Sequence, residues 1–207
     1  MRLLLLSGFF TLLFLRMTDS ASAQIPLTVA PIRVLFQTTL GEIVIDLDTE
    51  RAPITTSNFL QYVETGLYDG AEFYRTVRLN PDNQPDNTIK IEVIQGGIDS
   101  ASDSEAIVPI QLESTSVTGL KHLDGVISMA RSDPNSATTE FFICIGDQPE
   151  LDFGGLRNPD GQGFAAFGRV IEGMDVVQRI HQAPFDEQAL TPPVKIVRVT
   201  RLAAGER

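Results

Sequence analysis

Tryptophan is absent from this chain, cysteine occurs once and histidine twice. A single cysteine excludes an intramolecular disulfide, so stability has to come from packing. Cys144 lies in the apolar run Phe141-Phe142-Ile143-Cys144-Ile145, where a free thiol behaves as a small buried hydrophobe and not as a nucleophile. Neither His122 nor His181 stands in a context that marks a base for it. Positive charge is also scarce, with 16 lysines and arginines against 27 aspartates and glutamates and a net charge of −11. That balance argues against nucleic acid and anionic membrane surfaces as partners, because phosphates are held by lysine and arginine clusters. No ligand cluster or aromatic platform supports a metal-binding or carbohydrate-binding protein. Asp82, Asp86, Asp152 and Asp160 lack the alternating ligand positions of a calcium loop and read as solvated loop carboxylates. No cofactor and no metal are expected.

What is present begins with an apolar run from Leu3 to Leu15, preceded by Arg2 and followed by Ala21-Ser22-Ala23. Its thirteen residues would rise about 20 Å as a helix, short of the roughly 30 Å of bilayer hydrocarbon. Residues 1–23 therefore predict an export signal cleaved before Gln24, and a periplasmic or secreted product that leaves the membrane behind. Residues 24–31, with Pro26 and Pro31, predict an extended arm. The remaining chain, 32–202, has the length of one domain with a sizeable core.

Within it, Ile32 to Thr38 and Glu42 to Leu47 alternate apolar and polar residues around a short turn, as a hairpin does. Pro53 opens a helix to about Glu64 that Gly66 stops, and Gly173 to Gln182 is a second helix. Further strands are expected at Glu72 to Val77, Lys90 to Gln95, Ile107 to Ile110, Val126 to Ala130, Glu140 to Ile145, Ala166 to Val170 and Val194 to Arg201. Many strands and two distant helices speak against a parallel βαβ sheet and for a closed antiparallel barrel. Residues 78–88, rich in Pro, Asp and Asn, look like an insertion too polar to pack as core, and 154–163 is a second long Gly/Asp-rich loop.

Four segments, in order, carry the chemistry: Phe73-Tyr74-Arg75, Ile94-Gln95-Gly96-Gly97, Ile127-Ser128-Met129-Ala130-Arg131 and Glu140-Phe141-Phe142-Ile143. Phe-x-Arg is common by chance, and Gln-Gly-Gly alone reads as a strand end with a turn. Together over one domain they resemble the proline cleft of cyclophilin-type peptidyl-prolyl cis/trans isomerases. The resemblance implies a mostly β fold: an eight-stranded antiparallel barrel with a side-chain-filled interior, an α-helix capping each end and the cleft on its outer face. It implies a cofactor-free, monomeric enzyme that turns X-Pro bonds in unfolded or partly folded exported polypeptides. The competing reading is a binding module of the same fold with little turnover.

The resemblance assigns Arg75 and Gln95 to catalysis and Val93, Ala130, Arg131, Glu140, Phe142, Leu151 and Phe164 to substrate binding. Strand alternation agrees with two of these placements: Val93 and Gln95 share a face, and Phe142 faces away from Phe141, which belongs to the core. Each apolar member would, taken singly, pass as plain core packing. The chain departs from the family pattern at Arg131, where many members have Asn, and at Glu140, where many have Gln. Glu92 falls where an aromatic is common, and Glu150 where many have tryptophan. A carboxylate at 140 could orient Arg75 or cancel part of its charge.

Overall fold

The computed structural model describes residues 31–98, 107–203 and 205–206. The expected export signal, and the arm apart from Pro31, lie outside the described residues. The hairpin forms where the alternation places it: β1 (Ile32–Thr38) pairs antiparallel with β2 (Gly41–Leu47), Thr38 opposite Gly41. Val34, Phe36, Ile43, Ile45 and Leu47 enter the core, while the alternate positions face outward as a period of two requires. The chain continues through β3 (Glu72–Val77), β4 (Val93–Gly97), β5 (Val126–Met129), β6 (Phe141–Cys144), β7 (Ala165–Glu172), β8 (Phe185–Asp186) and β9 (Ala189–Arg201).

All pairings are antiparallel, in the order β1-β2-β7-β5-β6-β4-β3-β9, and β9 returns to β1. This is the expected closed eight-stranded barrel. The two-residue β8 adds a hairpin to β9 outside the ring, and sequence patterning did not anticipate it. Closure removes the sheet edges. The interior is filled by aromatic rings, with Phe141 edge-on to Phe73 at 5.7 Å and to Phe36 at 5.5 Å. Phe59 stacks into the same cluster from helix α1 (Pro53–Glu64), 5.2 Å from Phe167 and 5.1 Å from Tyr68. Helix α3 (Met174–His181) buries Val176, Val177 and Ile180. A short third helix, α2 (Thr115–Thr118), was not expected.

Two expectations are corrected. Ile107 to Ile110 is no strand; only Ile110 makes an isolated bridge to Ala137, since Pro109 has no N–H to give a ladder. Strand β4 starts at Val93 and runs through Gly97, so Gln-Gly-Gly is the strand end expected, but both glycines pair in the ladder and neither belongs to a turn. A Cβ on Gly96 would stand 2.8 Å from the carbonyl oxygen of Glu72, and one on Gly97 3.0 Å from Cα of Glu140; the two glycines let β3 and β6 approach this closely. The 78–88 insertion stays out of the apolar core, as expected, with most of its residues exposed, but it is ordered by one buried polar side chain. Gln84 is 1% exposed and holds its own loop shut through the Ile91 N–H and the carbonyls of Arg78 and Ile91. Buried polar side chains are tolerated when satisfied in this way.

No side chain of α1 caps its N-terminus. Glu113, far along the chain, does so instead, accepting the N–H of Ile54 at 3.1 Å, the N–H of Thr55 at 2.7 Å and the Thr55 hydroxyl at 2.7 Å. A carboxylate there satisfies orphan donors and meets the positive end of the helix dipole. Replacing Glu113 with Ala should cost about 2 kcal/mol, the cost of stranding buried donors. Urea unfolding checks this as a lower midpoint at unchanged slope; an unshifted midpoint would show that water replaces the cap.

Candidate active site

Arg75 sits on β3 directly opposite Gln95 on β4, next to a bulge in which β3 gains a residue between Phe73 and Arg75. A bulge turns consecutive side chains to one side of the strand. Here Phe73 enters the core while both Tyr74 and Arg75 reach Gln95. The Gln95 amide is used at both ends. Its Oε1 accepts from Arg75 Nη1 at 2.6 Å, and its Nε2 donates to Tyr74 Oη at 2.7 Å and to Glu140 Oε2 at 2.9 Å. Glu140 thus orients the arginine through Gln95 and acts on it directly only by its charge, since the two form no ion pair. Burial, together with the charge and hydrogen bond of Glu140, pushes the Tyr74 phenol well above its ordinary value.

The other edge of Arg75 is held by Gln188, in the β8–β9 turn: Nε at 2.9 Å and Nη2 at 2.6 Å both donate to its Oε1. Gln188 is itself fixed, donating from Nε2 to the Asn83 carbonyl at 2.9 Å. Of an arginine's five N–H bonds, three are engaged in this way, leaving one on each terminal nitrogen. Burial works against the Arg75 charge and lowers its pKa, but a guanidinium stays protonated.

Beside the arginine is a cleft of about 460 Å³. It contains every residue expected in the site: Arg75, Val93, Gln95, Ala130, Arg131, Glu140, Phe142, Leu151 and Phe164. Its floor is an apolar cluster separate from the barrel core, made of Val77, Ile91, Val93, Phe142, Cys144 and Leu151 with Ala130 and Phe164 against it. Phe142 meets Phe164 edge-on at 5.5 Å. Phe141 stays in the core, so the two phenylalanines divide as alternation required. Cys144 is a buried free thiol whose pKa is pushed up by burial.

Arg131 lines the cleft, yet its side chain is only 1% exposed. It forks onto Asp160 at 2.7 and 2.9 Å, donates from Nε to the Gly163 carbonyl at 2.8 Å and lies over the Phe164 ring. Its charge is spent on anchoring the 154–163 loop and its Phe164 wall. Glu150 is turned out of the cleft, its carboxylate accepting the Leu156 N–H. Glu92 accepts the Leu79 N–H from the insertion, and Ile91 takes its place in the cleft lining.

Beneath the floor, the His122 ring stacks on Phe142 at 5.9 Å and 17°. Its Nδ1 is 2.8 Å from Asp152 Oδ1 and its Nε2 3.0 Å from Ser128 Oγ. Burial raises the Asp152 pKa, but the hydrogen bonds from His122 outweigh this and hold the carboxyl below its usual value. The connectivity is that of a hydrolytic triad. With Ser128 at 0% and His122 at 1% exposure, no substrate reaches it, and it supports the floor. Sequence reasoning missed Tyr74, His122 and Gln188; only Tyr74, adjacent to Arg75 in the motif, left a signal.

Residues 33–201 match the family model for cyclophilin type peptidyl-prolyl cis-trans isomerase/CLD. The chain belongs to the cyclophilin family. It is 39% identical over 150 residues to the peptidyl-prolyl cis-trans isomerase cyp18 of Streptomyces antibioticus, covering 71% of this chain and 81% of that one. To peptidyl-prolyl cis-trans isomerase B of Escherichia coli K12 it is 36% identical over 149 residues, covering 71% and 82%. A crystal structure of a cyclophilin type isomerase from Cryptosporidium parvum, 20% identical, superposes with a TM-score of 0.66 over 84% of this chain and 98% of that one, which shows the common fold. The same protein has been crystallised in the presence of the dipeptide Ala-Pro. This cyclophilin is accordingly a peptidyl-prolyl cis-trans isomerase.

The geometry makes Gln188 a positioning residue for Arg75. Gln188→Ala should lower kcat/KM on a proline peptide about tenfold, mostly in kcat, because it frees the arginine while leaving the apolar floor intact. Wild-type turnover would show that Gln95 alone suffices.

Proposed function

We propose that Arg75 is the transition-state donor of the isomerase and that Gln95 holds it, while Val93, Phe142, Leu151 and Phe164 seat the proline ring and Ala130, Arg131 and Glu140 line the path of the peptide. Rotating an X-Pro bond means breaking amide conjugation across a barrier of about 18 to 20 kcal/mol. No nucleophile is required. As the bond twists, the prolyl nitrogen pyramidalises and regains a lone pair, and a fixed, permanently charged donor stabilises it there more than in either planar ground state. The observation that carries this reading is a guanidinium fixed by two neutral amide oxygens beside an apolar floor, with an N–H left on each terminal nitrogen. Neutral acceptors orient the donor without cancelling its charge.

The substrates proposed are proline-containing segments of unfolded or partly folded exported proteins, engaged by a monomer whose folded domain spans 32–202. No described helix is long and apolar enough to cross a membrane. The export reading rests on the Leu3 to Leu15 run and on Ala21-Ser22-Ala23. Mass spectrometry of the protein recovered outside the cytoplasm should find a new N-terminus at Gln24; an intact Met1 retained in membranes would sink it.

Arg75→Ala should lower kcat/KM by roughly two to three orders of magnitude, as loss of one transition-state donor does. Peptide affinity should fall much less, since the floor remains. Arg75→Lys should be nearly as damaging, because a flexible ammonium does not reproduce the planar fork. Exchange rates and affinities measured on one peptide separate this from a binding module, in which wild-type turnover is negligible and only affinity changes. Undiminished turnover by Arg75→Ala would overturn the mechanism.

A further inference from the structure

Arg157 lines the cleft from the long 154–163 loop and takes no part in the chemistry above. Its Nη1 donates to Gln84 Oε1 at 3.0 Å and to the Ile89 carbonyl at 2.6 Å, both on the 78–92 segment. The side chain is therefore tethered across two loops and not waving in solvent. Both tethers are neutral. Among the described residues Arg157 has no carboxylate within ion-pair distance, whereas Arg131, Arg179 and Lys90 are each paired with an aspartate. Its Nε and Nη2 edge, the edge that binds a carboxylate side-on, makes no hydrogen bond within the described chain.

An unpaired arginine is costly in this position. Burial and then the charge of Arg75 both lower its pKa, and the two arginines line one cleft. The cleft carboxylate, Glu140, directs its charge to the Arg75 side, hydrogen-bonded to Gln95 and acting on Arg75, and does not act on Arg157. In a protein of net charge −11, the surface at large repels anions, and a pair of arginines in a recess makes a local exception.

We propose that Arg157 makes the cleft selective for proline peptides carrying a carboxylate side chain within two residues of the proline. The inference rests on the reading of this cleft as the isomerase site. It assigns the two long loops a shared purpose: the 78–92 segment supplies the neutral acceptors that hold Arg157, and the 154–163 loop supplies Arg157 itself.

The test is kcat/KM on matched peptides with Ala, Glu or Lys placed one or two residues before or after the proline. Glu should exceed Ala by about fivefold on one flank at low salt, the scale of a half-exposed ion pair, and Lys should fall below Ala. The preference should shrink as salt is raised. Arg157→Gln keeps an N–H for the Ile89 carbonyl but removes the charge, and should bring the Glu/Ala ratio to about one; Arg157→Lys should retain part of it. If Arg157→Gln does not fold, loss of the ratio at high salt and its partial retention by Arg157→Lys decide the matter. Equal turnover of Glu and Ala peptides on both flanks, or a Glu preference that survives Arg157→Gln, would overturn the proposal. Wild-type turnover of the Ala peptide reports separately on the isomerase reading.

Discussion

The position of one guanidinium governs the rest of this cleft. Arg75 is gripped on one edge by Gln95 and on the other by Gln188, and each amide is immobilised by a further group, Glu140 and Tyr74 behind the first and the Asn83 carbonyl behind the second. A carboxylate in either place would hold an arginine more tightly, as a charge-assisted pair. It would also neutralise the charge on which the proposed donor role of Arg75 depends. Amide oxygens resolve that conflict. The carboxylate that the chain does carry, Glu140, stands one hydrogen bond away, where it fixes which way round the Gln95 amide points and leaves the guanidinium its full charge. The β3 bulge makes the arrangement possible, since without it Tyr74 and Arg75 would face opposite sides of the sheet.

Much of this could be read from the chain, and the boundary of what could be read has a physical cause. Periodicity reports which face a residue occupies. It separated Phe141 from Phe142 and put Val93 with Gln95, and it located the β1–β2 hairpin and helices α1 and α3. It does not report which residue stands opposite, so long-range partners stayed hidden. Glu113 caps a helix some sixty residues away, Gln188 reaches Arg75 from the far end of the chain, and Arg157 bridges two loops; none lies in a periodic segment. Ile107 to Ile110 shows the converse error, in which an apolar run looks like a strand until Pro109 is counted against its ladder. The glycines of Gln-Gly-Gly were given to a turn because glycine pairs signal turns more often than the close approach of neighbouring strands.

The Ser128-His122-Asp152 constellation shows why geometry alone does not establish chemistry. Its distances suit proton transfer from a serine hydroxyl, and on an open surface it would invite a hydrolase reading. Solvent and substrate are shut out by Phe142, which lies flat on the imidazole. What remains is a satisfied buried network. It ties β5, the 120s loop and the turn carrying Leu151 to one ring, so the floor of the cleft is braced from below by polar groups and from the side by Phe164.

That bracing bears on the two departures that looked most threatening to function. In place of Asn, Arg131 could have introduced a stray charge into the cleft; instead its fork is consumed by Asp160 and its plane by Phe164. In place of tryptophan, Glu150 could have put a carboxylate into the cleft; instead it turns to the Leu156 N–H, and the loop that follows carries Arg157 to the cleft. Each substitution is absorbed by the 154–163 loop, which is long enough to bring its own counter-charge and its own cleft residue. The loop and the departures therefore belong together. Arg131 without Asp160 would be a buried cation with no counter-charge, an expensive thing to leave beside an apolar pocket.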